Sequence, residues 1–166
     1  MNQYKIPFNN LYSQYEELQN EIDESIKTII KNSDFLTGKT TEEFEKAICE
    51  YTGAEDCASM SSGSDSLIAA LKALNIGPND QVLTVGHTFL STTESILNVG
   101  AEPIFVDIDE FYLLDISQLK KTDRLKAILF VDLYGQTPDI DKIKSFAKKF
   151  NLKVIEDAAQ SFGSDY

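Results

Sequence analysis

The sequence has no tryptophan, a single histidine at His87, and only two cysteines, Cys49 and Cys57. One histidine excludes a His-rich zinc cluster and confines any Ser-His-Asp triad to that position. Two cysteines make neither a disulfide framework nor a thiolate metal site, so a reduced compartment is expected. Basic residues are also scarce. Fifteen Lys and Arg stand against 27 Asp and Glu, a formal net charge of −12 at pH 7. Nucleic-acid backbones and anionic lipid surfaces both call for clustered positive charge, which argues against both kinds of partner. Any anionic ligand must therefore be held by local donors. No apolar run approaches the length of a membrane span, and residues 1–5 lead into no signal-peptide core. Cytoplasmic localisation is the expectation.

What is present is globular in kind. Hydrophobic residues make up 42% and charged residues 25%, a composition that can bury a core. The 166 residues suit one domain or part of a larger one. Leu11, Tyr15, Leu18, Ile22, Ile26 and Ile29 recur at helical spacing. Gly38 breaks that pattern, and Thr40 with Glu43 reads as a capping box opening a second helix, which Gly53 ends. Beyond it, short apolar strands alternate with amphipathic helices. Strands are predicted at residues 57–60, 81–85, 103–106, 126–131 and 152–155. Helices are predicted through Leu67, Ile68, Leu71 and Leu74, over residues 88–98, and through Ile140, Ile143, Phe146, Ala147 and Phe150. Such alternation means βαβ units and a largely parallel sheet covered on both faces, an αβα sandwich. Residues 1–52 are expected as a helical segment outside the sheet, with the ligand-binding domain in 53–166.

Ligands of open parallel sheets bind beyond the carboxyl ends of the strands. The polar residues at those ends are Ser61 to Asp65, His87 to Phe89, Asp107, Asp132 to Tyr134, and Asp157 to Gln160. Ser62-Gly63-Ser64-Asp65 feeds a helix N-terminus, where free N–H groups and hydroxyls can hold a phosphate. The same serines serve equally as ordinary N-caps. Asp157 can hold a protonated ring nitrogen or cap a turn, and Gln160 can face the same pocket. Phe89 is either a ring platform or core. His87 reads as a turn residue. Together, a phosphate cradle, an aromatic plate and an acid at successive strand ends suit a phosphorylated aromatic cofactor whose ring acts as an electron sink.

The chain resembles the N-terminal part of the DegT/DnrJ/EryC1/StrS family of nucleotide-sugar aminotransferases, which use pyridoxal 5'-phosphate. The matching residues are Ile6-Pro7-Phe8, Gly38, Phe44-Glu45, Ser62-Gly63-Ser64-Asp65-Ser66-Leu67, Thr88-Phe89, Ser91-Thr92, Phe105-Val106-Asp107, Leu133-Tyr134-Gly135 and Glu156-Asp157-Ala158-Ala159-Gln160-Ser161. The resemblance implies the large domain of fold-type I aminotransferases. It implies that Gly63, Ser64 and Asp65 hold the cofactor phosphate, Phe89 stacks on the pyridine ring, Asp157 pairs with its nitrogen and Gln160 reaches its hydroxyl. It implies a homodimer that passes an amino group from an amino acid such as glutamate to a keto-sugar nucleotide, for amino-sugar and polysaccharide biosynthesis. The sequence departs from the family at Asp132, where many members have His, and at Leu113, where many have Asn.

The family's Schiff-base lysine follows the Glu-Asp-Ala-Ala-Gln run, and no lysine follows Asp157 here. Read this way, the chain is an N-terminal fragment with no catalytic residue of its own, and sheet surface around Phe130 and Val154 is expected to be under-covered. Two alternatives stay open. One is a cofactor-dependent sugar dehydratase of the same family, in which His replaces the lysine. The other is a non-catalytic α/β binding module.

Overall fold

A computed structural model describes residues 7–36 and 38–164. Ile6 of the family pattern, residues 1–5 and Tyr166 lie outside the described residues. The chain divides into two compact units, Met1–Ser59 and Met60–Tyr166.

The first unit holds α1 (Leu11–Asn32) and α2 (Lys39–Thr52), where helical spacing of apolar residues predicts them. No residue of either helix is buried, and Leu18, Ile22 and Ile26 of the apolar stripe are exposed. The expected capping box is not formed. Thr40 lies inside the first turn of α2, and Gly38 is the N-cap. The capping oxygen comes from Asp34 instead, whose Oδ2 accepts from Thr40 N at 3.0 Å and Thr40 Oγ1 at 2.6 Å. The Thr40 hydroxyl, then its N–H, holds that carboxyl below its ordinary range. Residues 57–60 are not a strand, because no other strand pairs with them among the described residues. An apolar run becomes a strand only when a neighbour takes up its backbone groups. Both cysteines are free thiols.

The second unit is the sandwich. Its elements are α3 (Gly63–Ala73), β1 (Gln81–Val85), α4 (Leu90–Asn98), β2 (Glu102–Val106), β3 (Leu125–Val131), α5 (Ile140–Phe150) and β4 (Lys153–Asp157). The strands form one sheet in the order β2-β1-β3-β4, every pair parallel. The order reverses at β1: the chain steps one way to β2, then back past β1 to β3 and β4. Right-handed crossovers in opposite directions put their helices on opposite faces. Accordingly, α4 packs on one face and α5 on the other.

The side-chain period of two sorts each strand between two cores. Val82, Ala127, Leu129, Val131 and Ile155 meet Leu67, Leu71 and Ile96 of α3 and α4. Leu83, Val85, Ile128 and Phe130 meet Ile143 and Ala147 of α5. Phe130 is fully buried there, contrary to the expectation of under-coverage, because α5 lies over it; Val154 on β4 is 37% exposed. Helix α4 begins at Leu90, two residues later than predicted, since Phe89 keeps an extended backbone (ψ 144°).

Neighbouring residues of α4 test this division. Ile96 is fully buried and Leu97 is exposed. Ile96→Ala should cost about 2–5 kcal/mol through lost burial and a residual cavity. Leu97→Ala should stay within about 0.5 kcal/mol. Urea denaturation of both variants reads the difference, and equal effects would contradict this packing.

Candidate functional site

The N-terminus of α3 is built by its cap. Ser62, in extended conformation, accepts from Asp65 N at 3.1 Å. That bond accounts for one N–H of the first turn and leaves those of Gly63 and Ser64 without intrahelical acceptors. Asp65 turns away from the opening: its carboxylate accepts from the hydroxyls of Ser61 and of Ser62, at 3.0 Å for the latter. Those bonds, Ser61 first, hold it below the usual carboxylate range. Ser64, freed from capping, points its hydroxyl to within 2.6 Å of Ser91 Oγ on α4. A Cβ added at Gly63 would meet nothing within 4 Å, so the space over this helix head is open.

The start of α4 supplies the second wall. Phe89 is its N-cap residue and is 72% exposed, so it is a ring at the surface and not core. Ser91 and Thr92 are buried in the first turn. Thr92 Oγ1 lies 2.9 Å from Thr88 Oγ1 and donates a long 3.5 Å bond to Asp157 Oδ2.

The third wall follows β4. Asp157 is its last residue, and its Oδ1 accepts from Ala159 N at 3.2 Å. Gln160 Oε1 accepts from Tyr134 N at 2.8 Å, which leaves the amide NH2 of Gln160 as the donor. Gly63, Ser64, Leu67, Phe89, Ser91, Asp157, Ala159 and Gln160 line one cleft of about 270 Å³.

Five of the six residues singled out from the sequence therefore meet in one place. Asp65 is the exception: it braces the turn and does not line the cleft. Asp107 and His87 line a separate groove with Gly86, Phe105, Val106 and Ile108. Ser91 was not singled out for the site; the available signal was a hydroxyl just inside a helix start next to an aromatic residue. Among the described residues there is no group of three His, Cys, Asp or Glu that could hold a metal, and no helix long and apolar enough to cross a membrane.

Asp132, next to the cleft's third wall, is the most perturbed acid. It is buried at the end of β3, and its backbone N–H donates to Asp157 O at 3.1 Å. Oδ2 accepts from Ser161 Oγ at 3.1 Å, while Oδ1 is buried without a partner. The Glu156 carboxyl beside it is also an acceptor, so the two can bond only when one carries a proton. Burial, then Glu156, raises Asp132 to about 7, with Asp157 adding a smaller push and the Ser161 hydroxyl opposing.

The DegT/DnrJ/EryC1/StrS aminotransferase family model matches residues 16–166. The chain is 40% identical over 164 residues to the UDP-2-acetamido-2-deoxy-3-oxo-D-glucuronate aminotransferase of Pseudomonas aeruginosa, covering 97% of this chain and 46% of that protein. Among solved structures, DesV of S. venezuelae superposes with a TM-score of 0.93 at 34% identity, covering 97% of this chain and 44% of that one. NtdA of Bacillus subtilis, solved with bound cofactor PMP, superposes with a TM-score of 0.85 at 31% identity, covering 98% and 39%. The chain thus spans less than half the length of these relatives.

The Asp132 environment has a measurable consequence. An unfolded Asp titrates near 3.9 and the folded one near 7. Between those values the folded chain binds more protons, so stability falls as pH rises from about 4 to about 7 and then levels. A carboxyl moved that far loses at most roughly 4 kcal/mol. Asp132→Asn keeps the neutral shape and should flatten this slope in urea melts at pH 5 and pH 8. An unchanged slope would contradict the assignment.

Proposed function

The chain belongs to the DegT/DnrJ/EryC1/StrS aminotransferase family, and from that premise we propose that its cleft holds pyridoxal 5'-phosphate and serves amino transfer to a keto-sugar nucleotide. The observation that carries this reading is the convergence of Gly63, Ser64, Phe89, Asp157 and Gln160 on one cleft. Those groups fit the cofactor. The open space above Gly63, at a helix head with free N–H groups, suits a phosphate. The exposed Phe89 ring suits a stacked pyridine. Asp157 suits a protonated ring nitrogen.

When bound, the cofactor supplies an electron sink that lets an amino group pass between donor and acceptor. The chain's own residues bind and orient it. Gly63 and Ser64 donate backbone N–H groups to the phosphate, with the Ser64 and Ser91 hydroxyls beside them. Asp65 secures that turn from behind by holding Ser61 and Ser62. Phe89 covers one ring face. Asp157 keeps a proton on the ring nitrogen, and Thr92 holds one carboxylate oxygen in place. Gln160, oriented by the Tyr134 N–H, donates to the ring hydroxyl oxygen.

The remaining roles follow the family. We assign residues 53–166 to the cofactor domain and residues 1–52 to a helical segment. The protein works as a cytoplasmic homodimer with an amino acid such as glutamate as donor. No lysine lines the cleft among the described residues, and none follows Asp157 in the sequence. The covalent lysine is taken to lie C-terminal to that position in the whole protein.

The 166-residue chain should then bind pyridoxal phosphate without a fixed covalent bond. Borohydride reduction of the mixture should leave no stoichiometric label at one lysine. In equilibrium dialysis, Asp157→Asn and Ser64→Ala should each weaken binding by about tenfold or more, as expected for a hydrogen bond to a charged group. A single labelled lysine with turnover, or unchanged affinity in both variants, would overturn the reading.

A further inference from the structure

Both cysteines lie in the first unit, and the cleft uses neither. Cys49 is in the last turn of α2, and its carbonyl accepts from the N–H of the C-cap Gly53 at 2.9 Å. Gly53 has a φ of 73°, the left-handed conformation that ends a helix and turns the chain aside. The chain then comes back along the helix it has just left. Ser59 N donates to Glu45 Oε1 at 2.7 Å, and Glu45 is one turn before Cys49 on the same face of α2.

Cys57 lies on that return. It is two residues before Ser59, at most about 7 Å of chain. Cys49 is four residues after Glu45, about 6 Å along the helix. Both steps lead from the Ser59–Glu45 bond toward the turn at Gly53, so the two thiols come alongside one another. Burial agrees. Of the described residues 50–63, Cys57 alone is not exposed. Cys49 is half-buried as well. Burial, then the charge of Cys57, pushes the Cys49 thiol up, with Asp56 and Glu45 adding smaller pushes. A charge on Cys57 that is felt at Cys49 across a wet surface acts from close by.

We propose that Cys49 and Cys57 form a reversible disulfide site, closed by a hydroperoxide and opened by a small thiol, that staples the returning segment to α2. The pair stands outside the cleft, so this inference does not depend on the cofactor reading. The stapled segment runs into Ser61 and Ser62, the serines that build the cap of α3. A transient bridge of this kind suits a reduced compartment.

Cys57 attacks first, because the raised Cys49 thiol carries less thiolate. The Cys57 sulfur bonds to one peroxide oxygen and the O–O bond breaks. The leaving oxygen takes up the proton that the Cys57 thiol gave away and departs as water or alcohol. Cys49 sulfur then attacks the sulfenic acid on Cys57. The S–S bond forms, the S–O bond breaks, and the departing hydroxide takes the Cys49 proton as water. Two thiols are oxidised and one peroxide is reduced, a balanced transfer of two electrons.

The test equilibrates the 166-residue chain with a glutathione redox buffer and identifies the products by mass spectrometry, in native buffer and in denaturing urea. A bridge needs Cβ atoms about 4 Å apart, so a fold that holds them there favours the disulfide over its unfolded equivalent. The Cys49–Cys57 disulfide should form about tenfold or more favourably in the native chain than in urea. In the oxidised chain the Ser59 amide should exchange its hydrogen about fivefold or more slowly than in the reduced one. With hydrogen peroxide and dimedone, Cys49→Ser should be labelled at Cys57, and Cys57→Ser should leave Cys49 largely unlabelled. The site is overturned if the native chain forms the bridge no better than the unfolded one, or yields only glutathione adducts or disulfide-linked dimers. Unchanged Ser59 exchange would overturn the staple, and a label on Cys49 alone would overturn the order of attack.

Discussion

The parallel pairing of β1, β3 and β4 is the constraint on which the cleft depends. It sets Val131 beside Asp157 and Phe130 beside Glu156, so the turns after β3 and β4 leave the sheet at the same end. Those turns are then tied to one another. Asp132 N bonds Asp157 O, Ser161 Oγ bonds Asp132, Tyr134 N bonds Gln160, and Ser164 Oγ bonds Gly135 O. Each bond contributes only on the order of 1 kcal/mol net, but together they fix where Asp157 and Gln160 stand. Gly135 takes a positive φ of 81° within this seam, with the Gln160 carbonyl 3.5 Å from where a Cβ would sit.

The opposite wall depends on helix starts. α3 and α4 pack against one another and against one face of the sheet, and their first turns meet through the Ser64–Ser91 hydroxyl contact. Donors at a helix head suit an anion even in a chain of charge −12, because they act at hydrogen-bond range where the global field matters little. An acidic protein can in this way hold a phosphate without a basic patch.

Local pattern made much of this legible in the sequence. β1 spans residues 81–85 as the short apolar run after the Gly77-Pro78-Asn79-Asp80 turn predicts, and α5 runs between Ile140 and Phe150. Strand ends then nominated Phe89, Asp157 and Gln160, because a parallel sheet collects its carboxyl ends on one side, while Gly63 and Ser64 were legible from the helix head that they open. What escaped was set by distant partners. Thr40 looks like a cap until Asp34 reaches it first. Residues 57–60 look like a strand until no neighbour pairs with them. The sequence leaves Phe89 open between ring platform and core, and only its place at the N-cap of α4 decides for exposure. Asp132 gives no sign in sequence that Glu156, twenty-four positions later, will lie beside it and raise it to about 7.

The central claim is that Asp157 holds the ring nitrogen of the cofactor in its protonated form. The most direct measurement is 15N NMR of pyridoxamine phosphate, labelled at the ring nitrogen, bound to this chain. It is made at a pH where the free cofactor has lost that proton. Pyridoxamine phosphate carries no aldehyde, so adventitious lysine adducts do not interfere. The account requires a protonated ring nitrogen in the complex that reverts to the neutral form in Asp157→Asn. A neutral ring nitrogen in the parent complex, or a protonated one that survives the substitution, would contradict it.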